Sequence, residues 1–154
     1  MPAIVRPARF EEADAIRGLM RRVIEVTVAA PLRPETIENV EGNVAVWLDR
    51  PTRCVHLVAA LNDVIVGVIL VKDFWNLCSL FVEPSRQGGG IGRLLVDAAV
   101  LACKPLSPKK ALWLNSSTNA VGFYEHLGFG PAESAQQLPQ GVRTMQLSLT
   151  SLPP

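Results

Sequence analysis

Three consecutive glycines, Gly88–Gly90, lie between an apolar run of strand length and a segment with helical periodicity. A glycine backbone has no Cβ atoms and can approach a ligand closely, and the free amides and dipole at a helix N-terminus favour an anion. This feature restricts the chain to folds in which a strand leads through a tight loop into a helix. It predicts a loop that binds phosphate groups.

Two familiar phosphate-binding loops do not match these glycines. The dinucleotide motif G-x-G-x-x-G fails because Arg93 or Leu95 stands where its third glycine belongs. The apolar segment Leu112–Leu114 occupies the region where that motif needs an acidic residue. The ATP-binding motif requires a lysine followed by serine or threonine, which the loop lacks. The sequence therefore supports neither NAD nor ATP.

Hydrophobic periodicity assigns the elements that precede the loop. A short strand at Ile4–Val5 is followed by two amphipathic helices, one beginning at Phe10 and one extending from Pro34 until Pro51. Thr27–Arg33 is predicted to be the loop between these helices. Three runs rich in β-branched and apolar residues then predict a meander of strands over residues 54–61, 64–72 and 76–82.

The same periodicity assigns the elements that follow the loop. A helix begins at Ile91 and ends before Pro105, and residues 111–115 predict a fifth strand. Thr118 or Asn119 is predicted to cap a short helix that Gly128 ends, and a last strand covers 144–149. The predicted order is β-α-α-β-β-β-α-β-α-β-β, in a single domain of residues 1–154.

Composition and charge narrow the classes of function. The net charge of +1 provides no basic footprint for nucleic acid, and the longest apolar run is too short to span a bilayer as a helix. Charged residues from Arg6 to Glu12 argue against a signal peptide. Three cysteines without a C-x-x-C pair favour free thiols in a reducing compartment. We expect a cytoplasmic protein with neither a nucleic-acid nor a membrane partner.

The residues around the glycines resemble the acyl-CoA loop of the GNAT superfamily of N-acetyltransferases. That loop reads [QR]-x-x-G-x-[GA] after a strand ending L-x-V-x-P, and here Gln87–Gly92 follows Leu80–Pro84 with the same spacing. The later segment NSSTNAVGFYEHLGF, Asn115–Phe129, is similar to the final motif of the family. Two motifs in the right order are more specific than a glycine loop alone.

The resemblance implies a fold and a reaction. The fold is α/β (α+β), with a central mixed, mostly antiparallel sheet of six to seven strands flanked by about four helices. The protein is expected to be an acyltransferase that uses acetyl-CoA as cosubstrate and no metal. In the family the strand before the loop splays from its neighbour and pairs with the pantetheine arm. The amide of Phe81 or Val82 is then expected to polarise the thioester carbonyl.

The resemblance also assigns site residues. Tyr124 is the expected catalytic residue, as general acid for the CoA thiolate. Simpler interpretations remain for three residues: packing beside Phe123 for Tyr124, a solvated helix position for Arg93, and helix capping for Asn119. The residues assigned to cofactor binding are Leu80, Phe81, Val82, Gln87, Gly88, Gly89, Gly90, Ile91, Gly92, Arg93, Asn115, Asn119 and Phe123.

The general base is left open. Many relatives carry a glutamate four residues before the leucine of the strand motif, and here that position is Asn76, whose amide does not accept a proton. The alternatives are a water chain, an amine that arrives neutral, or an acid elsewhere. The acids considered are Glu83, Asp73 and Asp49.

Histidine and cysteine chemistry is not favoured. Cys54 and His56 share one strand face but lack a third metal ligand, so a histidine satisfied by its neighbours is the preferred interpretation. Cys78 is expected to be a buried strand thiol and not an acyl-carrying nucleophile, because no histidine lies in its sequence context.

The favoured function is transfer of an acetyl group from acetyl-CoA to a primary amine of a small molecule by direct attack. The alternatives are acetylation of protein N-termini or lysines, and a non-catalytic acyl-CoA sensor. Thr27–Arg33 and Gln136–Gly141 are expected to frame the acceptor. Three acids of the second helix, Glu35, Glu38 and Glu41, could attract a cationic amine, although a solvated helix face is preferred for them. A homodimer is compatible with the sequence, which does not require one.

Overall fold

The computed structural model describes residues 2–134, 138 and 141–150, and within them the elements follow the predicted order. The strands are β1 (Ile4–Pro7), β2 (Cys54–Leu61), β3 (Val64–Lys72), β4 (Asn76–Val82), β5 (Ala111–Ser117), β6 (Gly130–Pro131) and β7 (Val142–Ser148). The helices are α1 (Ala13–Thr27), α2 (Arg33–Asp49), α3 (Ile91–Cys103) and α4 (Val121–His126). Residues 152–154, for which the composition predicts disorder, lie outside the described residues.

The strands form one sheet in the order β1-β2-β3-β4-β5-β7-β6. Each neighbouring pair is antiparallel except β4 and β5, which are parallel. Helices α1 and α2 pack on one face of the sheet, and α3 and α4 pack on the other. The predicted fold class is confirmed. Within the described ranges, no helix is long and apolar enough to cross a membrane.

The two helical layers cover the sheet unequally. The core beside α1 and α2 takes its strand residues from β2, β3 and β4, with Leu70 at its centre and Phe81 at its edge. The core beside α3 extends across β5 and β7 through Leu112, Leu114 and Met145. In the part of the chain that the structure describes, the α1/α2 side of β5 and β7 therefore has no helix packed over it.

A β-bulge in β4 separates this strand from β5. The register between β3 and β4 shifts between Leu70 and Val71, and Cys78 is the extra residue of β4. A bulge bends its strand and increases the local twist. Among the described residues, β4 and β5 pair only at Asn76 and Trp113 and then diverge. A gap therefore opens between their C-terminal ends, as the family resemblance implies.

The first helix begins later than its hydrophobic pattern predicts. A 3-10 turn occupies Phe10–Glu12, and α1 starts at Ala13. The Glu12 carboxylate accepts a hydrogen bond from the Arg9 amide at 2.9 Å and pairs with Arg6 at 2.7 Å. These contacts hold the chain in a turn ahead of the helix, which periodicity alone does not reveal.

The predicted cap of the last helix is also corrected. α4 begins at Val121 after a 3-10 turn, and neither Thr118 nor Asn119 caps it with a side chain. The Thr118 hydroxyl instead donates to the Gly141 carbonyl at 3.2 Å. A long-range contact therefore replaces the local cap. Gly128 has φ +99° after the helix, as predicted.

His56 is a buried, neutral histidine in the core. It is 6% exposed, and its ring lies 4.2 Å from the Trp47 ring of α2 in an edge-to-face arrangement. Desolvation lowers the pKa of His56 from 6.5 to about 4. Its Nδ1 atom has no hydrogen-bond partner within the described residues. Folding therefore opposes protonation of this side chain.

We predict that this histidine makes stability fall with acid. Between pH 6.5 and 4.5 the unfolded chain binds a proton that the folded chain does not, so the free energy of unfolding should drop by about 2–3 kcal/mol. His56→Gln should flatten this slope, and the control His126→Gln, at an exposed histidine of α4, should retain it. Urea unfolding at several pH values measures both. An unchanged slope in His56→Gln would contradict the assignment.

Candidate active site

The free edge of β4 supplies backbone groups to the gap. The Glu83 amide donates to the Val66 carbonyl of β3 at 2.8 Å. Peptide groups alternate in direction along a strand, so the amides of Leu80 and Val82 point away from β3, into the gap. In agreement, the Val82 carbonyl accepts a hydrogen bond from Gln87 Nε2 at 3.2 Å. The divergence of β5 leaves these groups without a strand partner on that side.

The glycine loop leads the chain from β4 into α3. Gly88 and Gly90 both have φ +85°, a backbone conformation that favours glycine. Gly90 is the N-cap of α3, and its carbonyl accepts the Leu94 amide at 3.0 Å. The amides of the first turn, Ile91–Arg93, precede that first intrahelical donor and have no partner within the helix. The loop thus presents N–H groups and a positive helix end to an anion.

A cavity of about 490 Å³ joins the gap, the glycine loop and α4. The α4 side of the cavity packs closely against the start of α3. A Cβ atom placed on Gly92 would be only 3.1 Å from Phe123 Cζ, so the absence of a side chain at Gly92 allows this close approach. The lining residues are Val23, Leu80, Val82, Arg86, Gln87, Gly88, Gly90, Ile91, Gly92, Arg93, Ala120, Phe123 and Tyr124.

Tyr124 reaches this cavity from α4. Its ring packs against Phe123 and Phe129, with centroids 5.2 and 5.5 Å apart. Burial raises the pKa of Tyr124 to about 12, so the phenol is protonated at neutral pH. Among the described residues its hydroxyl has no hydrogen-bond partner. The hydroxyl can therefore donate to a ligand.

Comparison with known proteins identifies the family. A protein-family model described as the acetyltransferase (GNAT) domain matches residues 49–151 of this sequence. The chain belongs to the GNAT family of acetyltransferases. The predicted enzyme class, acyltransferase, is confirmed for this GNAT protein, and its glycine loop and Tyr124 both lie within the matched residues.

Individual relatives agree with the family. The peptidyl-lysine N-acetyltransferase YjaB of Salmonella typhimurium is 29% identical over 129 residues, which cover 81% of each chain. A GCN5-related N-acetyltransferase from Rhodopseudomonas palustris has the same fold, with a TM-score of 0.77, 22% identity and 96% of both chains covered. YncA of Salmonella typhimurium, determined with its cofactor acetyl-CoA, matches with a TM-score of 0.75, 19% identity and coverage of 97% and 95%.

Most residues that the GNAT resemblance assigns to the cofactor line this one cavity, and four lie elsewhere. Phe81 packs at the edge of the α1/α2 core, and Gly89 lines a separate cavity of about 520 Å³. Asn119 is exposed on the turn before α4. Asn115 is exposed on the opposite face of β5 and accepts a hydrogen bond from the Thr144 hydroxyl at 2.8 Å.

Three cavity residues were missed by sequence reasoning. Arg86 lies two residues before the glycines, and its positive charge next to a predicted phosphate-binding loop could have indicated a role in binding. Val23 comes from α1 and Ala120 from the turn before α4, and only tertiary packing brings them here. The position of Arg93 is compatible with both interpretations of this residue, cofactor binding and a solvated helix position. Its side chain is 65% exposed, and its Nε atom is 4.0 Å from Asp97 Oδ2. That separation leaves the guanidinium available to a ligand.

The acids considered as general base are each paired with an arginine. Both oxygens of Glu83 accept hydrogen bonds from Arg22, at 2.9 and 3.1 Å, and this lowers the pKa of Glu83. The other pairs are Asp73 with Arg53 at 3.1 Å and Asp49 with Arg50 at 3.5 Å. The Glu83 carboxylate, held by two hydrogen bonds from Arg22, is therefore a weaker base than a free carboxylate.

Of the segments expected to frame the acceptor, one is described in full and one in part. Thr27–Arg33 is a short connection that includes a 3-10 turn at Ala30–Leu32. Of Gln136–Gly141, only residues 138 and 141 belong to the described part of the chain. On α2, Glu35 and Glu38 are exposed and Glu41 pairs with Arg21, which matches a solvated helix face.

The metal and nucleophile alternatives concern Cys54, His56 and Cys78. In the described ranges, no three His, Cys, Asp or Glu residues are grouped to hold a metal ion. The Cys78 thiol donates to the Leu70 carbonyl at 3.5 Å, and burial raises its pKa to about 11. A thiol that stays protonated is a poor nucleophile.

A second cavity, of about 470 Å³, opens on the other face of the sheet, where β4 and β5 meet. Asn76 is in register with Lys72, whose Nζ donates to Asn43 of α2 at 3.1 Å, so Asn76 lies on the α1/α2 face. We call this cavity the indole pocket. It is lined by Trp75, Asn76, Lys109, Trp113, Leu114, Asn115, Glu133, Ser134 and Thr144.

A larger cavity, of about 710 Å³, lies between α4 and β7. Its lining includes Glu125 and Arg143 but not the glycine loop or β4. The volume of a cavity alone does not identify it as the active site. The cavity of about 490 Å³ is lined by the glycine loop, the free edge of β4 and Tyr124, so we take that cavity as the candidate active site.

Proposed function

We propose that this GNAT protein transfers the acetyl group of acetyl-CoA to a primary amine. The observation that carries the proposal is a single cavity in which the free amides of β4, the glycine loop and the Tyr124 hydroxyl meet. Acetyl-CoA is the cofactor bound to the structural relative YncA. The glycine loop suits the pyrophosphate of acetyl-CoA, the free amides of β4 suit its extended pantetheine arm, and the Tyr124 hydroxyl suits its thioester sulfur.

The cofactor is held mainly by backbone. The amides of the glycine loop and the first turn of α3 bind the pyrophosphate, and Arg86 and Arg93 add positive charge at the rim. The pantetheine arm lies along the free edge of β4 and pairs with it as an added strand. This arrangement needs no side chain to recognise the arm.

The carbonyl of the thioester is polarised by an amide of β4. The alternation of peptide groups directs the amides of Leu80 and Val82 into the gap, whereas that of Phe81 points to β3. We therefore assign this role to Val82 and not to Phe81. A donor of this kind typically contributes about 10²- to 10³-fold to the rate.

Tyr124 assists departure of the thiolate. The amine nitrogen attacks the carbonyl carbon, the carbon–sulfur bond breaks, and the sulfur leaves as a thiolate. An alkyl thiol has a pKa of about 8.5, so a phenol whose pKa is about 12 shares its proton with the thiolate and does not release it fully. Tyr124 stabilises the leaving group through this donated hydrogen bond.

The amine attacks in its neutral form. Asn76 accepts no proton, and the acids considered are paired with arginines, so the proton on the amine is lost to solvent before attack. The proton released when the amide forms also leaves through water. This mechanism requires no enzyme carboxylate.

The acceptor is proposed to be a primary amine of a small molecule. Acetylation of protein lysines is the second candidate, because the relative YjaB is a peptidyl-lysine N-acetyltransferase. In addition, no helix among the described residues packs on the α1/α2 side of β5 and β7, which leaves room for a polypeptide. Both acceptors present the same alkylamine to the gap. The cytoplasmic location stays a prediction, and a homodimer stays compatible with the sequence, which does not require one.

Replacing Gly90 should weaken cofactor binding. Alanine at φ +85° is strained by about 1–2 kcal/mol, which shifts the loop amides. We expect Gly90→Ala to raise the Kd for acetyl-CoA about tenfold or more in calorimetry. The control Gly42→Ala introduces the same methyl group into open space on α2 and should leave the Kd unchanged. Equal affinities would argue against the loop as the pyrophosphate site.

Removing the Tyr124 hydroxyl should slow turnover without affecting binding. Tyr124→Phe is expected to lower kcat about 10²-fold, the lower end of the range for acid catalysis, because the proton is shared and not transferred. The Kd for acetyl-CoA should stay within about twofold and serves as the control for folding. A kcat equal to that of the unmodified enzyme from pH 6 to 9 would refute the role.

The rate should report the protonation of the acceptor. If the amine attacks in its neutral form, kcat/KM for a lysine-like amine rises about tenfold per pH unit toward the amine pKa of about 10. Glu83→Gln should leave this slope unchanged. A plateau between about pH 5 and 7 would reveal an enzyme base instead.

A further inference from the structure

One residue of the candidate active site comes from the opposite face of the sheet. Val23 belongs to α1 and packs in the core beside α1 and α2, and it also lines the cavity that holds Tyr124. Of the described residues, the other lining residues come from β4, from the segment between β4 and α3, from the start of α3, or from α4 and the turn before it. The cavity therefore crosses the plane of the sheet and reaches the α1/α2 face at Val23.

An ion pair places Val23 beside the C-terminal end of β4. Arg22 donates hydrogen bonds to both carboxylate oxygens of Glu83, at 3.1 and 2.9 Å. Glu83 directly follows Val82, whose amide is assigned to the thioester carbonyl, and Val23 directly follows Arg22. The pair thus brings α1 to the end of β4, and Val23 lies at the level of the reacting carbonyl.

The geometry of a thioester directs its acyl chain towards Val23. The carbonyl carbon is trigonal, so the oxygen, the sulfur and the acyl chain point in three directions within one plane. In the proposed mechanism the oxygen meets the Val82 amide at the edge of β4, and the sulfur meets the Tyr124 hydroxyl on the α4 side. The third direction leads away from α4, to the α1/α2 face where Val23 lies. The amine attacks perpendicular to this plane, so Val23 does not block it.

The Val23 side chain is a rigid wall. It is 6% exposed, and a β-branched residue in a helix has one strongly preferred χ1 rotamer. The Thr27 hydroxyl donates to the Val23 carbonyl at 2.8 Å, and the preceding residue, Arg22, is held by Glu83. A longer acyl chain therefore cannot turn the valine aside and would have to displace α1.

The wall is also apolar. An acyl chain that ends in a carboxylate, such as succinyl, would bring its charge against a buried valine, and burial of an unpaired charge is strongly unfavourable. The arginines of the cavity, Arg86 and Arg93, flank the glycine loop and not this end of it. The indole pocket begins at Asn76, six residues before Val82, which is about 20 Å along a strand and out of reach of the acyl chain.

We infer that Val23 limits the acyl donor to acetyl-CoA, because its two methyl groups occupy the space that a third acyl carbon needs. This inference rests on the proposed acetyl transfer. Val23 is a residue that determines specificity: it contacts the methyl group of the donor and takes no part in proton transfer. The donors that it excludes are propionyl-, butyryl- and succinyl-CoA.

A comparison of acyl donors tests the inference. The probes are acetyl-, propionyl-, butyryl- and succinyl-CoA with one amine acceptor, and the release of CoA thiol is followed. One methylene that a pocket does not accommodate changes kcat/KM by about 10- to 200-fold. For the natural chain we expect kcat/KM to be at least about tenfold lower with propionyl-CoA than with acetyl-CoA, and lower still with butyryl-CoA. Equal values for acetyl-CoA and propionyl-CoA would overturn the inference.

Variants of α1 separate the wall from its role in packing. Val23→Ala removes two methyl groups and should raise the ratio of kcat/KM for propionyl-CoA to that for acetyl-CoA about tenfold. The matched control Val26→Ala makes the same change at a residue of α1 that is 69% exposed, and it should leave the ratio unchanged. A purely structural role for Val23 would lower the rates with all donors alike, so an unchanged ratio in Val23→Ala would overturn the inference.

Two further variants keep the test valid if Val23→Ala does not fold. Val23→Thr preserves the shape of valine and should keep the preference for acetyl-CoA, whereas Val23→Ile adds a methyl group and should lower kcat/KM for acetyl-CoA itself. Loss of the preference in Val23→Thr, or an undiminished rate with acetyl-CoA in Val23→Ile, would contradict a steric wall.

The inference and the proposed function fail differently. Calorimetry in the absence of amine measures donor binding without turnover. A preference for acetyl-CoA over propionyl-CoA in the natural chain that Val23→Ala loses, without CoA release from any donor, would support the wall and disprove acetyl transfer. CoA release that is as efficient with butyryl-CoA as with acetyl-CoA would disprove the wall and leave acyl transfer intact.

Discussion

The extra residue in β4 is the constraint on which the site depends. If β4 remained paired with β5 along its length, the amides of Leu80 and Val82 would be used by the sheet and no cofactor could pair with them. The bulge at Cys78 bends β4 away after a single pair with β5, at Asn76 and Trp113. The Cys78 thiol is tied to the Leu70 carbonyl, so the bulge is anchored in the core. One irregularity in register thus creates the gap, the free strand edge and the two cavities beside it.

The chemistry that this gap supports relies on dipoles more than on charged side chains. In the proposed mechanism the oxyanion donor is an amide, the phosphate donors are amides at a helix start, and the proton donor is a phenol that burial keeps protonated. The nearby carboxylate Glu83 is held by Arg22 at the end of β4, where it fixes α1 to the loop. A fixed arrangement of neutral donors needs little reorganisation when negative charge develops on oxygen and then on sulfur.

The sequence predicts the glycine loop and Tyr124 as parts of one site but does not predict the cluster of Trp75, Lys109 and Trp113, for a physical reason. The glycine loop and Tyr124 belong to local motifs whose spacing reflects backbone conformation, and the strand bounds 54–61, 64–72 and 76–82 match because β-branched runs and turn residues are local signals. The late start of α1 accompanies the pairing of Glu12 with Arg6 of β1, which periodicity does not encode. Trp75, Lys109 and Trp113 are separated in sequence and meet only through the β4–β5 joint. No motif marks such a cluster.

Acetyl transfer is tested most directly by following the release of free CoA thiol from acetyl-CoA in the presence of amines, with mass spectrometry of the amine product. We predict release only when an amine is present, one acetylated amine per thiol, and a rate that rises with the neutral fraction of the amine. Tight binding of acetyl-CoA with no release for any monoamine, diamine or lysine peptide would contradict this prediction and identify the protein as a non-catalytic acyl-CoA sensor.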